Sequence, residues 1–140
     1  MGARARIVVA PLGALLLVAC GGAVSDEYVR TEPYSIEAVD DHVSRVILTE
    51  SAAERLDIQT AQVGSQGTSL VVSSDAVFLD SEGTFWVYTN PEPLEYVRVQ
   101  ITIVDERDGR AFLSDGPGVG TEIVTVGVPE LYGAETGFGT

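Results

Sequence analysis

Cys20 is the only cysteine of the chain and His42 its only histidine. Nucleophilic or metal chemistry has few other places to start, so the neighbours of these two residues decide. Asp40, Asp41 and His42 together offer two carboxylates and an imidazole, a set that could hold a divalent cation. Consecutive residues of an extended chain point in alternating directions, so the three converge poorly. A solvated loop is the plainer reading. "DGPGVG" (115–120) has the glycines of a phosphate loop but neither its lysine nor the helix that should follow, and reads as a turn. Asp105, Glu106 and Asp108 cluster at a hairpin tip, where a glycosidase pair would need a cleft and a defined separation. No nucleophile–base set is visible. The expectation is a protein that is not an enzyme, with no catalytic residue and no metal site.

Cys20 has a different context. Met1 to Arg6 carries two arginines and no acid, and residues 7–19 are apolar. Thirteen such residues fall short of the roughly 20 that cross a hydrocarbon core, and the pattern is that of a secretory signal. The run closes Leu17-Val18-Ala19-Cys20. This resembles the lipobox of bacterial lipoproteins. The resemblance implies a covalent diacylglycerol lipid on Cys20, with cleavage making it the new N-terminus. One acyl chain anchors a protein only marginally, at about 0.8 kcal/mol per buried CH₂, and two or three hold it durably. The division that follows is a signal peptide at 1–19, a flexible tether at 20–33, a folded domain at 34–133 and a disordered tail at 134–140. No cofactor is expected beyond the lipid. The location expected is the extracytoplasmic face of the cell membrane.

Without the signal, six arginines face the chain's 21 acids, a net charge of −15, and there is no lysine. That balance argues against nucleic acid, which is bound by cationic neutralisation of phosphates.

The elements that would carry any site are mostly extended. "SRVILT" (44–49) and "DIQTAQV" (57–63) read as strands around a short helix at "ESAAERL" (50–56), capped by Thr49 or Ser51. "SLVVS" (69–73) and "AVFL" (76–79) follow. "DSEG" (80–83) turns the chain into "TFWVYTN" (84–90), and "NPEP" (90–93) ends that strand because proline donates no ladder hydrogen bond. "YVRVQITIV" (96–104) alternates cleanly, the mark of one buried face. "RAFLS" (110–114) and "TEIVTVG" (121–127) complete the set, and Pro129 starts one helical turn. The fold class expected is mainly β, a small antiparallel sheet or barrel-like domain with one short helix. In "TFWVYTN", Phe85 and Val87 share one face, Trp86 and Tyr88 the other. Core packing accounts for one aromatic pair. Trp86 and Tyr88 are the candidates for contact with a partner protein.

The order of these segments carries a second resemblance. "SDAVFLDSEGTFWVYTNPEPLEYVRVQITIVDERDGRAFLSDGPGVGTEIVTVGVPELYG" (74–133) is similar to the membrane-proximal part of the periplasmic adaptor subunits (membrane fusion proteins) of resistance-nodulation-division efflux pumps. The carrying pieces are the acidic-Gly turn Asp80 to Gly83, Trp86-Val87-Tyr88, the strand Arg98 to Val104, the turn Asp108-Gly109-Arg110, the loop Gly116 to Gly120, and Gly127 to Leu131. "VILTESAAERLDIQTAQV" (46–63) looks like the start of the family's β-barrel. Full adaptors insert a lipoyl-like domain and a long helical hairpin between these two segments, where this chain has only "GSQGTSL". The resemblance implies a membrane-anchored, non-catalytic accessory module of a transport (efflux) system, with a membrane transporter or permease as partner. A small-ligand or cation-binding envelope lipoprotein is the alternative.

Overall fold

The computed structural model of the chain describes Gly2 and residues 31–137. Apart from Gly2, the signal segment lies outside the described residues, as do Cys20 and most of the tether.

Eleven strands and two α-helices make up the domain. In chain order they are β1 (Tyr34–Ala38), β2 (Ser44–Leu48), α1 (Glu50–Arg55), β3 (Gln59–Gln62), β4 (Gly64–Gln66), β5 (Ser69–Ser73), β6 (Phe78–Leu79), β7 (Phe85–Glu92), β8 (Glu95–Gln100), β9 (Thr102–Arg107), β10 (Arg110–Asp115), β11 (Glu122–Val126) and α2 (Val128–Thr136). A 3₁₀ turn, Ser74–Ala76, lies between β5 and β6. A seven-stranded sheet runs β1-β2-β8-β7-β11-β3, with β6 also on β7, and a four-stranded sheet runs β4-β5-β10-β9.

Neither sheet closes. β1 and β3 are free edges of the larger sheet, β4 and β9 of the smaller. The barrel-like, mainly β expectation is therefore corrected to a small mixed α/β domain with two open sheets and two helices. The reason lies in the middle strands. "FWVYT" and "EIVTV" are apolar on both faces, and both faces are covered. Tyr88 and Val124 pack with Val46, Leu48, Tyr96, and with Ala52, Val128 and Leu131 of the helices. Their neighbours Val87 and Ile123 turn the other way, onto Val72, Ala111 and Leu113 of the smaller sheet. The larger sheet is thus the middle layer between helices and the smaller sheet. A closed barrel would leave the outward residues of these strands to solvent, and Tyr88 and Val124 are fully buried. Among the described residues no helix is long and apolar enough to cross a membrane.

Local chemistry explains the element boundaries. Thr49 caps α1 by accepting from the Ala52 N–H at 3.2 Å. β9 and β10 meet at Asp108-Gly109, both at positive φ (53° and 71°). That combination fits a two-residue type I′ hairpin and its preference for Asp-Gly. The alternating run at 96–104 does not form a single strand. It breaks at buried Ile101, whose N–H donates to the Phe85 carbonyl at 3.0 Å, and crosses from one sheet to the other. β7 does not stop at "NPEP" but runs through Pro91, with a register shift between Thr89 and Glu92. Asn90 bridges the irregularity: its amide donates to the carbonyls of Glu92 (2.7 Å) and Glu95 (2.9 Å).

α2 is longer than one turn and extends through Thr136, into the stretch expected to be a disordered tail. It starts at Gly127, where φ is 97° and an added Cβ would lie 2.2 Å from the Ile58 Cδ1. Glycine is required there by backbone and by space.

Candidate functional site

Two features stand out on the helix side of the larger sheet: a buried polar cluster around Arg98 and a cleft between the helices.

Arg98 lies on β8 with its side chain only 11% exposed. Its Nε donates to the Glu135 Oε1 at 3.0 Å, and a terminal nitrogen donates to the His42 carbonyl. Its guanidinium covers the Trp86 ring at 4.3 Å and approaches the Tyr132 ring at 5.9 Å. Glu135, on α2, has a side chain 4% exposed. It is satisfied by three donors: Arg98, the Tyr88 hydroxyl at 2.5 Å and the Ser44 N–H at 3.0 Å. Burial pushes the Tyr88 phenol well above its ordinary pKa, and the adjacent Glu135 carboxylate adds to the shift. The hydroxyl therefore stays protonated and donating.

Asp80 completes the cluster from the β6–β7 turn. It accepts from the Thr84 and Glu82 N–H groups at 2.9 Å and from the Trp86 indole at 2.8 Å. The Arg98 guanidinium is 4.0 Å away. The Thr84 N–H, more than any other neighbour, holds the Asp80 carboxyl below its ordinary value of 3.8, and the Trp86 and Glu82 donors and Arg98 add to this. A carboxyl whose folded pKa is lowered stabilises the fold above its unfolded pKa, and that contribution disappears as pH falls through the folded value. Asp80→Asn is accordingly expected to flatten the acid-side decline of Tm below pH 3.8. Thermal melts of both proteins across that range check this; parallel curves would refute it.

Each expected site residue now has a place. Tyr88 is fully buried and stacked on Phe78, with ring centroids 5.1 Å apart. It has no surface to offer in this fold. Trp86 is half-buried beneath Arg98. The exposed apolar pair of the hairpin is on the other face: Phe85 and Leu79 stand opposite one another, 40% and 54% exposed. Cys20 lies outside the described residues. Asp40 accepts from the N–H groups of His42 and Val43, both at 2.7 Å, and these bonds hold its carboxyl below the ordinary value. It shapes the β1–β2 turn. Among the described residues no group of three or more His, Cys, Asp or Glu is placed to hold a metal ion. In "DGPGVG", Gly116 packs inward, where an added Cβ would meet Leu113 and Ile101 at 3.1 and 3.2 Å. Asp105 pairs with Arg107, whose guanidinium covers Phe112 at 4.2 Å.

The cleft was not foreseen from sequence. It encloses about 490 Å³ between α1, α2 and the start of β1. Its apolar lining includes Leu48, Ala52, Leu56 and Ala134, with Pro33, Tyr34, Pro129 and Gly133. Among the described residues Arg55 and Glu130 are the charged ones that line it, and both are exposed. A volume of roughly 300–1,000 Å³, apolar walls and a few polar groups are the usual attributes of a small-molecule site.

Comparison with known proteins returned no match: no family model matches the chain, and neither a curated protein nor a solved structure is similar to it at a significant level.

Proposed function

We propose that this chain is a lipid-tethered, extracytoplasmic, non-catalytic accessory module of a transport system, with a membrane transporter or permease as partner. The observation that carries the tether is Leu17-Val18-Ala19-Cys20 behind a basic N-terminus and a short apolar run. The order of segments between Ala76 and Leu131, similar to that of efflux adaptors, supports the transport role. The polar cluster around Arg98 supports a structural role for that side of the hairpin, because its buried groups satisfy one another. Contact with a partner is then better sought at Phe85 and Leu79.

The test has two parts. Metabolic labelling with a radioactive fatty acid should mark the wild-type protein and leave Cys20→Ala unlabelled. A photo-reactive residue at position 85, irradiated in the native host, should capture a membrane transporter or permease. Equal labelling of Cys20→Ala removes the tether, and capture of soluble proteins alone removes the transport role.

The cleft favours a second reading, a lipoprotein that binds a small ligand. It is apolar, open to solvent and large enough for a compact molecule.

A further inference from the structure

Two charged residues of opposite sign, Arg55 and Glu130, line the cleft. Residues 31–137 hold five arginines against 19 acidic residues, a net charge of −14. In so acidic a domain a cation finds a carboxylate easily. Arg45 reaches Glu37 and Glu95, Arg98 reaches Glu135 and Asp80, and Arg107 reaches Asp105. Arg55 and Arg110 are in no ion pair among the described residues, and of these two Arg55 lines the cleft. Glu130 lines the same cleft and is likewise in no ion pair, so it and Arg55 do not neutralise each other.

We propose that the cleft between α1 and α2 binds a small, net-neutral zwitterion with an apolar body, of the class of the apolar α-amino acids. This rests on the small-ligand reading of the cleft. A carboxylate is recognised by Arg55, whose planar guanidinium suits a two-pronged hydrogen bond. An ammonium is recognised by Glu130. The aliphatic or aromatic body lies on Leu48, Ala52 and Leu56. Net charge selects among ligands with the same apolar part. The field of a domain at −14 opposes a free anion, and a simple cation, which that field attracts, leaves Arg55 without a partner and meets its local repulsion. A zwitterion uses both charged groups and escapes both penalties.

The test uses the full chain in lipid nanodiscs. The probes are L-leucine, leucinamide without the carboxylate, N-acetyl-leucine without the ammonium, and N-acetyl-leucinamide with neither. NMR shifts of Ala52, Leu56 and Ala134 report occupancy. Leucine is expected to bind saturably, and each singly blocked probe about tenfold more weakly. Arg55→Gln is expected to weaken leucine by about the same factor and not to weaken leucinamide, which loses a repulsion, and Glu130→Gln to weaken leucine and not N-acetyl-leucine. Both side chains are exposed, so neither variant threatens the fold. Equal binding of all four probes, or tighter binding of a singly charged one, overturns the zwitterion while keeping the cleft as a ligand site. Shifts from none of them overturn both.

Discussion

Arg98→Met is expected to cost about 3–5 kcal/mol of stability, the range for removing one partner of a buried ion pair. The substitution keeps an unbranched apolar stem over Trp86 and removes every charged contact. What remains is the Glu135 carboxylate, 4% exposed, with the Tyr88 hydroxyl and the Ser44 N–H as its donors and no cation beside it. The His42 carbonyl and Asp80 lose their contacts to the same guanidinium. Urea unfolding measures the effect. The double variant Arg98→Met with Glu135→Gln should be more stable than the sum of the single changes implies, because a neutral amide needs no counter-charge. A loss below about 1 kcal/mol in the single variant would place this pair with surface ion pairs and contradict the buried polar cluster described above.

Leu131→Ala is the second large effect, expected at about 2–5 kcal/mol from lost apolar transfer and the cavity left behind. Leu131 is fully buried and belongs to the cluster that joins α2 to Val46, Tyr88 and Val124 of the larger sheet. Val104→Ala is the matched control, since Val104 is 59% exposed on an edge strand and should change stability by less than about 0.5 kcal/mol. Chemical denaturation of the two variants side by side decides. Equal and small losses would mean that α2 is not a structural layer of the domain.

Apart from the proline stop expected at "NPEP", which β7 runs through, local signals in the sequence were good guides to local structure. The Thr49 cap, the β6–β7 hairpin around Asp80 to Gly83 and the Asp108-Gly109 turn all depend on a few adjacent residues, and each is where its residues place it. What was hidden depends on residues far apart. The alternation of Val97, Val99, Ile101 and Ile103 marks a buried face, but nothing in it marks the transfer at Ile101 to a second sheet. Arg98 falls on the face that alternation assigns to solvent. It is buried because α2 supplies Glu135 from 37 residues away. α2 itself has little amphipathic pattern, and "AETG" looks like a fraying end until Glu135 is seen to be the acceptor for three donors. The cleft is still less legible, because its lining comes from four separate segments.

The two apolar clusters on either side of the larger sheet share their strands. Val87 and Tyr88 are joined by one peptide bond and feed opposite clusters, as do Ile123 and Val124. β8 and β9 continue the linkage by passing from one sheet to the other. Neither cluster can therefore melt without pulling apart backbone that the other needs. Unfolding is expected to be all-or-none for the described domain, in spite of its three layers, with one cooperative unit where the layering alone suggests two.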